Sequence, residues 1–363
     1  MLNSATPRRA FLVWFLIGTA AAGILQIGQT RVMGGVPEGL LFAGTWQEVH
    51  VLVADELPGT PIFEGYGHDG QIFYAVGLDL LGDWVPDTLL SAPYRYRRIL
   101  YPALSSGLGL TGGAGLLWGM ILLAALPVGA AAGAVALLAK RLSLPAWSPA
   151  LVILNPSTWL SARLLTADNL ALALGLAAIV TFLYRHDMWT IVLLAAAALA
   201  KEPQIAFALS LGGYAWFEGE RARALRLFTG AAIPMALWWL YIAFAIGSPL
   251  DSGGNVVAPL AGIIASLEWW PRQGARDVFY LASVLVGIAG SVWALIRGPR
   301  LWSWLVAPWL LIAVVSADLV WHVGNNAIRA LGPLFTLGIL GVLAGRARAR
   351  RPGHVDASIP ATP

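Results

Sequence analysis

The sequence predicts an all-α fold: a polytopic integral membrane helical bundle of about ten transmembrane helices with a long first extracytoplasmic loop. Three observations carry this. Apolar residues make up 58% of the 363 residues and charged ones only 12%, with a mean hydropathy of +0.72. A soluble domain of this length carries roughly twice that charge fraction. Apolar runs recur near 10–27, 114–138, 146–160, 169–184, 189–200, 203–217, 228–247, 278–296, 301–317 and 330–345. The chain also holds 17 Trp, a residue enriched where helices leave the bilayer.

The first run follows Arg8-Arg9. A cleaved or twin-arginine signal would start the same way. The length of the run and the number of spans behind it favour an uncleaved first helix. Residues 30–113 then form a polar, aromatic connection. Asn155-Pro156 and Glu202-Pro203 mark breaks in the later runs, because proline lacks the N–H of a helix interior and its ring clashes there. Residues 1–345 read as one membrane domain. Residues 346–363 read as a basic tail (Arg346, Arg348, Arg350, Arg351) that becomes Pro/Ala-rich and disordered.

Lys and Arg set the orientation. With a cytoplasmic N-terminus, the inner connections hold Lys140, Arg141, Arg185, Arg221, Arg223, Arg226, Arg297 and Arg300. With Arg8, Arg9 and the tail they collect 14 of the 23 basic residues, while 15 of the 19 acids fall on the other side. Both termini are therefore expected in the cytoplasm of a bacterial inner membrane. Residues 30–113, 248–277 and 318–329 are expected outside, together with the junctions at Arg163–Asp168 and Lys201-Glu202.

Some chemistries are excluded. Without cysteine there are no disulfides, thiolate zinc sites or Cys nucleophiles. Nothing resembles a nucleic-acid signature, and a basic tail beside an apolar helix suits membrane lipids better. No clustered ligand spacing appears at His68 or His322, so no metal site is assigned. A divalent cation held between Asp69 and a phosphate stays open as a cofactor.

The segment Pro61–Pro102 is polar and charged where most of the chain is not. In Gly65-Tyr66-Gly67-His68-Asp69-Gly70-Gln71, two glycines allow a tight turn. Ile72, Phe73, Val76 and Leu80 then fall on one helical face, as in an amphipathic helix lying on the membrane surface. Asp69 reads as the N-cap of that helix, as a general base at the membrane boundary, or as both. In Pro93-Tyr94-Arg95-Tyr96-Arg97-Arg98-Ile99-Leu100-Tyr101-Pro102, three arginines lie on the side where basic residues are scarce. They either anchor to lipid headgroups or bind a phosphate, whose oxygens match the planar guanidinium.

These two motifs together resemble the first external loop of bacterial membrane proteins linked to cell-surface glycopolymer formation. That group is similar to the GT-C superfamily of polyprenyl-phosphate-sugar-dependent glycosyltransferases. The resemblance covers some 40 residues and implies a GT-C-like fold. It implies a polyprenyl-phosphate-linked sugar donor, a glycan or glycolipid acceptor, and a catalytic base at Asp69. Arg95, Arg98, Lys201 and Arg329 are the candidates for donor phosphate binding. Tyr66, His68, Gln71, Tyr74, Tyr94, Arg163, Asp168, His322 and Asn326 are candidates for substrate contact.

Each has a plainer reading. Asp168 can cap a helix. Lys201 and Glu202 can pair locally, or Lys201 can snorkel. Asp318, His322, Asn325, Asn326 and Arg329 recur at helical spacing, which would put them on one face. Trp269 and Trp270 suit interfacial anchoring more than sugar stacking. The leading expectation is a glycosyltransferase; a flippase of lipid-linked saccharides and a non-catalytic envelope-assembly protein are the alternatives.

Overall fold

The computed structural model describes residues 6–109, 112–248 and 256–350. Almost all of its regular structure is helical. The chain opens with α1 (Pro7–Val32), and the long connection that follows holds α2 (Val49–Glu56), α3 (Asp69–Leu78), α4 (Ala92–Tyr96) and α5 (Leu100–Leu108). The bundle continues with α6 (Gly112–Arg141), α7 (Ala150–Leu154), α8 (Pro156–Arg163), α9 (Asp168–Leu183), α10 (Asp187–Ala200), α11 (Ile205–Phe217) and α12 (Arg221–Ala245). It closes with α13 (Ala261–Ser266), α14 (Ala275–Arg297), α15 (Arg300–Val315), α16 (Asp318–Trp321) and α17 (Gly324–Ala349). Two two-residue strands, β1 (Ala43–Gly44) and β2 (Ile62–Phe63), pair in parallel.

The ten apolar runs fall largely on helix, but the helices differ in length. Among the described residues five helices, α1, α6, α12, α14 and α17, are long and apolar enough to cross a membrane. The apolar helices α9, α10 and α15 are shorter. At 1.5 Å per residue, the 16 residues of α9 cover about 24 Å, short of the ~30 Å of a hydrocarbon core. The short helices are cut by polar breaks that the sequence marks. Asn155 ends α7 and caps α8, its Oδ1 accepting from the Ser157 N–H at 2.9 Å. Its amide donates to the Gly332 carbonyl at 2.9 Å, so the break is also a tie to α17. Lys201 is extended at the end of α10, ahead of a single 3-10 turn at Glu202–Gln204.

The connection 30–113 is not a loose loop. Leu40, Leu41, Phe73, Tyr74 and Tyr101 pack with Leu116, Leu117 and Met120 of α6 into a core of their own. Ile72, Val76, Val85 and Tyr96 pack with Ile242 of α12 into a second. The Trp238 indole of α12 donates to the Tyr96 carbonyl at 2.8 Å, and the Tyr241 hydroxyl to that of Leu81 at 2.8 Å. The main core lies between α6, α9, α11, α15 and α17.

Four expectations need correction. The helix after Asp69 is not an amphipathic surface helix: Gly70 through Gly77 are all buried, because the connection folds over it on one side and α5, α6 and α12 meet it on the others. Leu80 lies beyond its end. Asp318 and His322 do not share a helical face with Asn325, Asn326 and Arg329, because the chain breaks between α16 and α17 around Val323. The basic tail does not begin at 346 as a separate piece: Arg346 and Arg348 belong to the last turns of α17. The Pro/Ala-rich stretch 351–363 lies outside the described residues.

Candidate functional site

The site forms where α3, α4, α9, α10 and α17 meet at one end of the bundle. Asp69 is the first residue of α3, and the N-cap is His68, so Asp69 does not cap. Its carboxylate instead takes two guanidiniums: Arg95 Nη1 of α4 at 3.1 Å and Arg329 Nη2 of α17 at 2.5 Å. Arg329 is a bridge. Its Nε donates to Asp168 Oδ2 at 3.2 Å, so one side chain joins two carboxylates that lie far apart in sequence.

Asp168 is the first residue of α9 and does not cap either. Lys201 donates to its Oδ1, and the Thr166 hydroxyl to its Oδ2 at 2.6 Å. Lys201 also donates to the Arg329 carbonyl at 2.7 Å. Lys201 and Glu202, for which a local pair was one of the readings, part company. The extended backbone at Lys201 turns the neighbouring side chains apart, and Glu202 accepts from Arg98 Nε at 3.0 Å. Arg98 also donates to the Tyr94 hydroxyl at 2.6 Å. Arg95, Arg97 and Arg98 all lie about 5 Å from the Tyr94 ring centroid.

Seven of the candidates are thus brought together: Asp69, Tyr94, Arg95, Arg98, Asp168, Lys201 and Arg329. Four cations face three carboxylates, and the cationic side chains are only 8–23% exposed. Two atoms in the cluster, Arg95 Nε and Glu202 Oε1, are buried and lack a hydrogen-bond partner. Buried polar atoms are nearly always paired, so such orphans call for an explanation.

The field acts on the acid. Burial alone would push the Asp69 carboxyl up, but Arg329, Arg95 and Arg98 outweigh it and hold it well below the usual carboxylate range. As it stands Asp69 is ionised and a weak base. His68 is adjacent: burial, with help from Arg329, lowers its imidazole from 6.5 to about 4. Among the described residues no three His, Asp or Glu side chains converge as a metal site would need. A divalent cation at Asp69 would have to displace Arg95 or Arg329.

Other candidates do different work. Gln71 is fully buried, its Oε1 accepting from the Gly44 N–H at 3.1 Å and its amide donating to the Tyr66 carbonyl at 2.8 Å. Tyr74 is buried in the core beneath the connection. Arg163 donates to Gln29 of α1 at 2.7 Å. His322 packs on Trp269, ring centroids 4.2 Å apart, and the Asn326 amide donates to the Leu319 carbonyl at 3.1 Å. Tyr66 projects outward, edge-on to Trp46 at 4.9 Å. Sequence reasoning missed Trp46 and the role of Glu202 as the partner of Arg98. Trp46 lies outside the motif segment, and the Glu202 pairing spans 104 residues.

No protein-family model, no curated protein and no solved structure matches the chain.

Proposed function

We propose that this chain is an integral-membrane glycosyltransferase of GT-C type. It moves a sugar from a polyprenyl-phosphate donor to a glycan, glycolipid or protein acceptor. One observation carries the reading: a carboxylate, Asp69, is paired with Arg95 of α4 and Arg329 of α17 beside two further buried cations, Arg98 before α5 and Lys201 just after α10. The basic residues concentrated at the opposite end support a cytoplasmic placement of that end, and with it a place for Asp69 at the outer face of a bacterial inner membrane.

The chemistry fits this charge pattern. The donor's leaving group is already an anion, so it needs charge stabilisation rather than a proton. Arg95, Arg98, Lys201 and Arg329 supply it. The acceptor hydroxyl attacks the anomeric carbon, the carbon–oxygen bond to the lipid phosphate breaks with its electron pair, and the configuration inverts. The acceptor proton goes to Asp69. A phosphate drawing on Arg95 and Arg329 loosens their hold on Asp69 and raises its basicity, so donor binding readies the base. The unpartnered Arg95 Nε is available to the same oxygens.

The test is transfer by purified protein in nanodiscs, offered a panel of radiolabelled polyprenyl-phosphate sugars with membrane-derived acceptors. Wild type is expected to transfer. Asp69→Asn, folded by thermal melt, is expected to lose about 10²–10⁴ in rate, the usual share of a general base. Equal transfer by both would remove Asp69 as the base and point to Asp168, Glu64 or Asp55. Donor binding without turnover, together with movement of the lipid between leaflets, would favour a flippase instead.

A further inference from the structure

The turn that leads into Asp69 carries an exposed aromatic corner. Trp46 and Tyr66 are 62% and 61% exposed, and their rings meet edge-on, 79° apart with centroids at 4.9 Å. Both rings lie outside the buried core clusters.

The backbone beneath them is fixed. The Trp46 N–H donates to the Gly65 carbonyl at 2.9 Å and the Thr45 N–H to that of Phe63 at 2.9 Å. The Tyr66 carbonyl accepts two side-chain amides, from Gln47 at 2.5 Å and from Gln71 at 2.8 Å. Gly67 has φ +66°, and a side chain at Gly44 would collide with the Gly67 backbone. Two rings with few rotatable bonds are thus held on a rigid turn. Such a platform loses little freedom on binding.

We propose that Trp46 and Tyr66 form the acceptor subsite and that its ligand is a neutral saccharide. This rests on the glycosyltransferase reading above. The faces of aromatic rings are electron-rich and suit the polarised C–H bonds on the flat side of a sugar. The exposed charges close in sequence, Glu48 and Glu64, are acidic, while the exposed Arg276 lies toward His68. Carboxylates accept hydrogen bonds from sugar hydroxyls and repel anionic headgroups, so the surroundings favour a glycan over a lipid surface. Tyr66 precedes Asp69 by three residues, which limits their Cα separation to about 11 Å. A short oligosaccharide resting on the corner can therefore bring one end to the proposed base.

The experiment is saturation-transfer difference NMR on the full chain in nanodiscs, without donor. The probes are neutral gluco-, manno-, galacto- and arabino-configured trisaccharides, with empty nanodiscs as control. At least one probe is expected to receive saturation. That signal should fall at least fivefold in Trp46→Ala and in Tyr66→Ala and persist in part in Trp46→Phe. No signal from any probe, or a signal indifferent to both alanine variants, overturns the proposal. Because the chain has no cysteine, Glu48→Cys provides a single label beside the corner. Rapid reaction with a water-soluble, membrane-impermeant maleimide is expected, whereas protection by lipid would make the corner a membrane anchor and overturn the proposal. The binding readout needs no turnover, so it separates failure of this subsite from failure of the transferase reading. If transfer is found, Trp46→Ala should raise the acceptor KM and leave the donor KM unchanged.

Discussion

The bundle has an ionic network at each end, and the two are built differently. At the end away from Asp69, Arg223 donates to Asp187 at 2.8 Å, to Glu220 at 2.9 Å and to the Phe182 carbonyl at 2.8 Å, with its guanidinium 4.0 Å from the Phe182 ring centroid. Arg185 joins Glu220, and Arg300 joins Glu218 at 2.8 Å. There the acids are about 30% exposed, and Arg226 and Arg300, both 64% exposed, face solvent. At the Asp69 end both members of every pair are buried, the cations 8–23% exposed and the carboxylates 7–19%, and two polar atoms beside them have no partner. The ties also differ in reach. Arg223 links helices close in sequence, whereas Arg329 reaches residues 161 and 260 positions away. The first network is a closed staple between neighbouring helices. The second stores positive charge out of water, an arrangement suited to an arriving anion.

The contrast is sharpest for one arginine from each end. Arg329→Gln is expected to cut sugar transfer by about 10²–10³, the scale of losing one electrostatic contact to a developing negative charge. Arg223→Gln should leave the rate per folded molecule unchanged and lower stability by about 2–3 kcal/mol. That is below the ~3–5 kcal/mol of breaking a fully buried pair, because its acids stay partly wet. Transfer assays alongside thermal melts separate the two. If Arg223→Gln lost activity and Arg329→Gln only stability, the assignment of the ends would be reversed.

A smaller effect isolates the stored charge. Inorganic pyrophosphate, at ten times its dissociation constant, should stabilise the wild type by about 1.4 kcal/mol through mass action alone. The gain should vanish in Arg95→Ala/Arg98→Ala and survive in Arg226→Ala/Arg300→Ala. Differential scanning fluorimetry reads it directly. Equal protection in both double variants would mean that exposed arginines, not the buried cluster, bind the anion.

Much of this contrast was legible in the sequence, for identifiable reasons. The unusual density of arginine and tyrosine at 93–102 singled out Arg95 and Arg98, and a Lys201 between two apolar stretches is conspicuous in any membrane chain. Their pairings were not legible. Asp69 with Arg329, and Glu202 with Arg98, are contacts between distant segments, and no local rule specifies them. Adjacent charges were ambiguous for a related reason: Lys201 and Glu202 allowed a local pair among other readings, but an extended residue directs neighbouring side chains to opposite sides. Apolar periodicity misled at α3. A buried helix with apolar residues all round contains the same i, i+3, i+4 pattern as a half-buried one, and only its neighbours distinguish the two. The ten apolar runs were plain, whereas helix length depended on polar breaks such as Asn155 and Lys201.

The smallest expected effect is a pH response confined to one end. Folded His68 has its pKa lowered from 6.5 to about 4, by burial first and then by Arg329 and Arg276. Between those values the unfolded chain takes up a proton that the folded one refuses. Stability at the Asp69 end therefore falls as pH drops through this window, by on the order of 1 kcal/mol at pH 5.5. Glu220 at the other end behaves differently. Burial opposes its ionisation, but hydrogen bonds from Arg185 and Arg223 prevail and lower its pKa, so its contribution is full above the ordinary glutamate value and fades only below it. Hydrogen exchange at pH 7.5 and 5.5 should thus show protection weakening around α3 and α4 while the α10–α12 junction holds. His68→Gln should flatten the response. Equal loss at both ends would mean that the acid sensitivity is global, and that the desolvation seen at His68 is not what sets it.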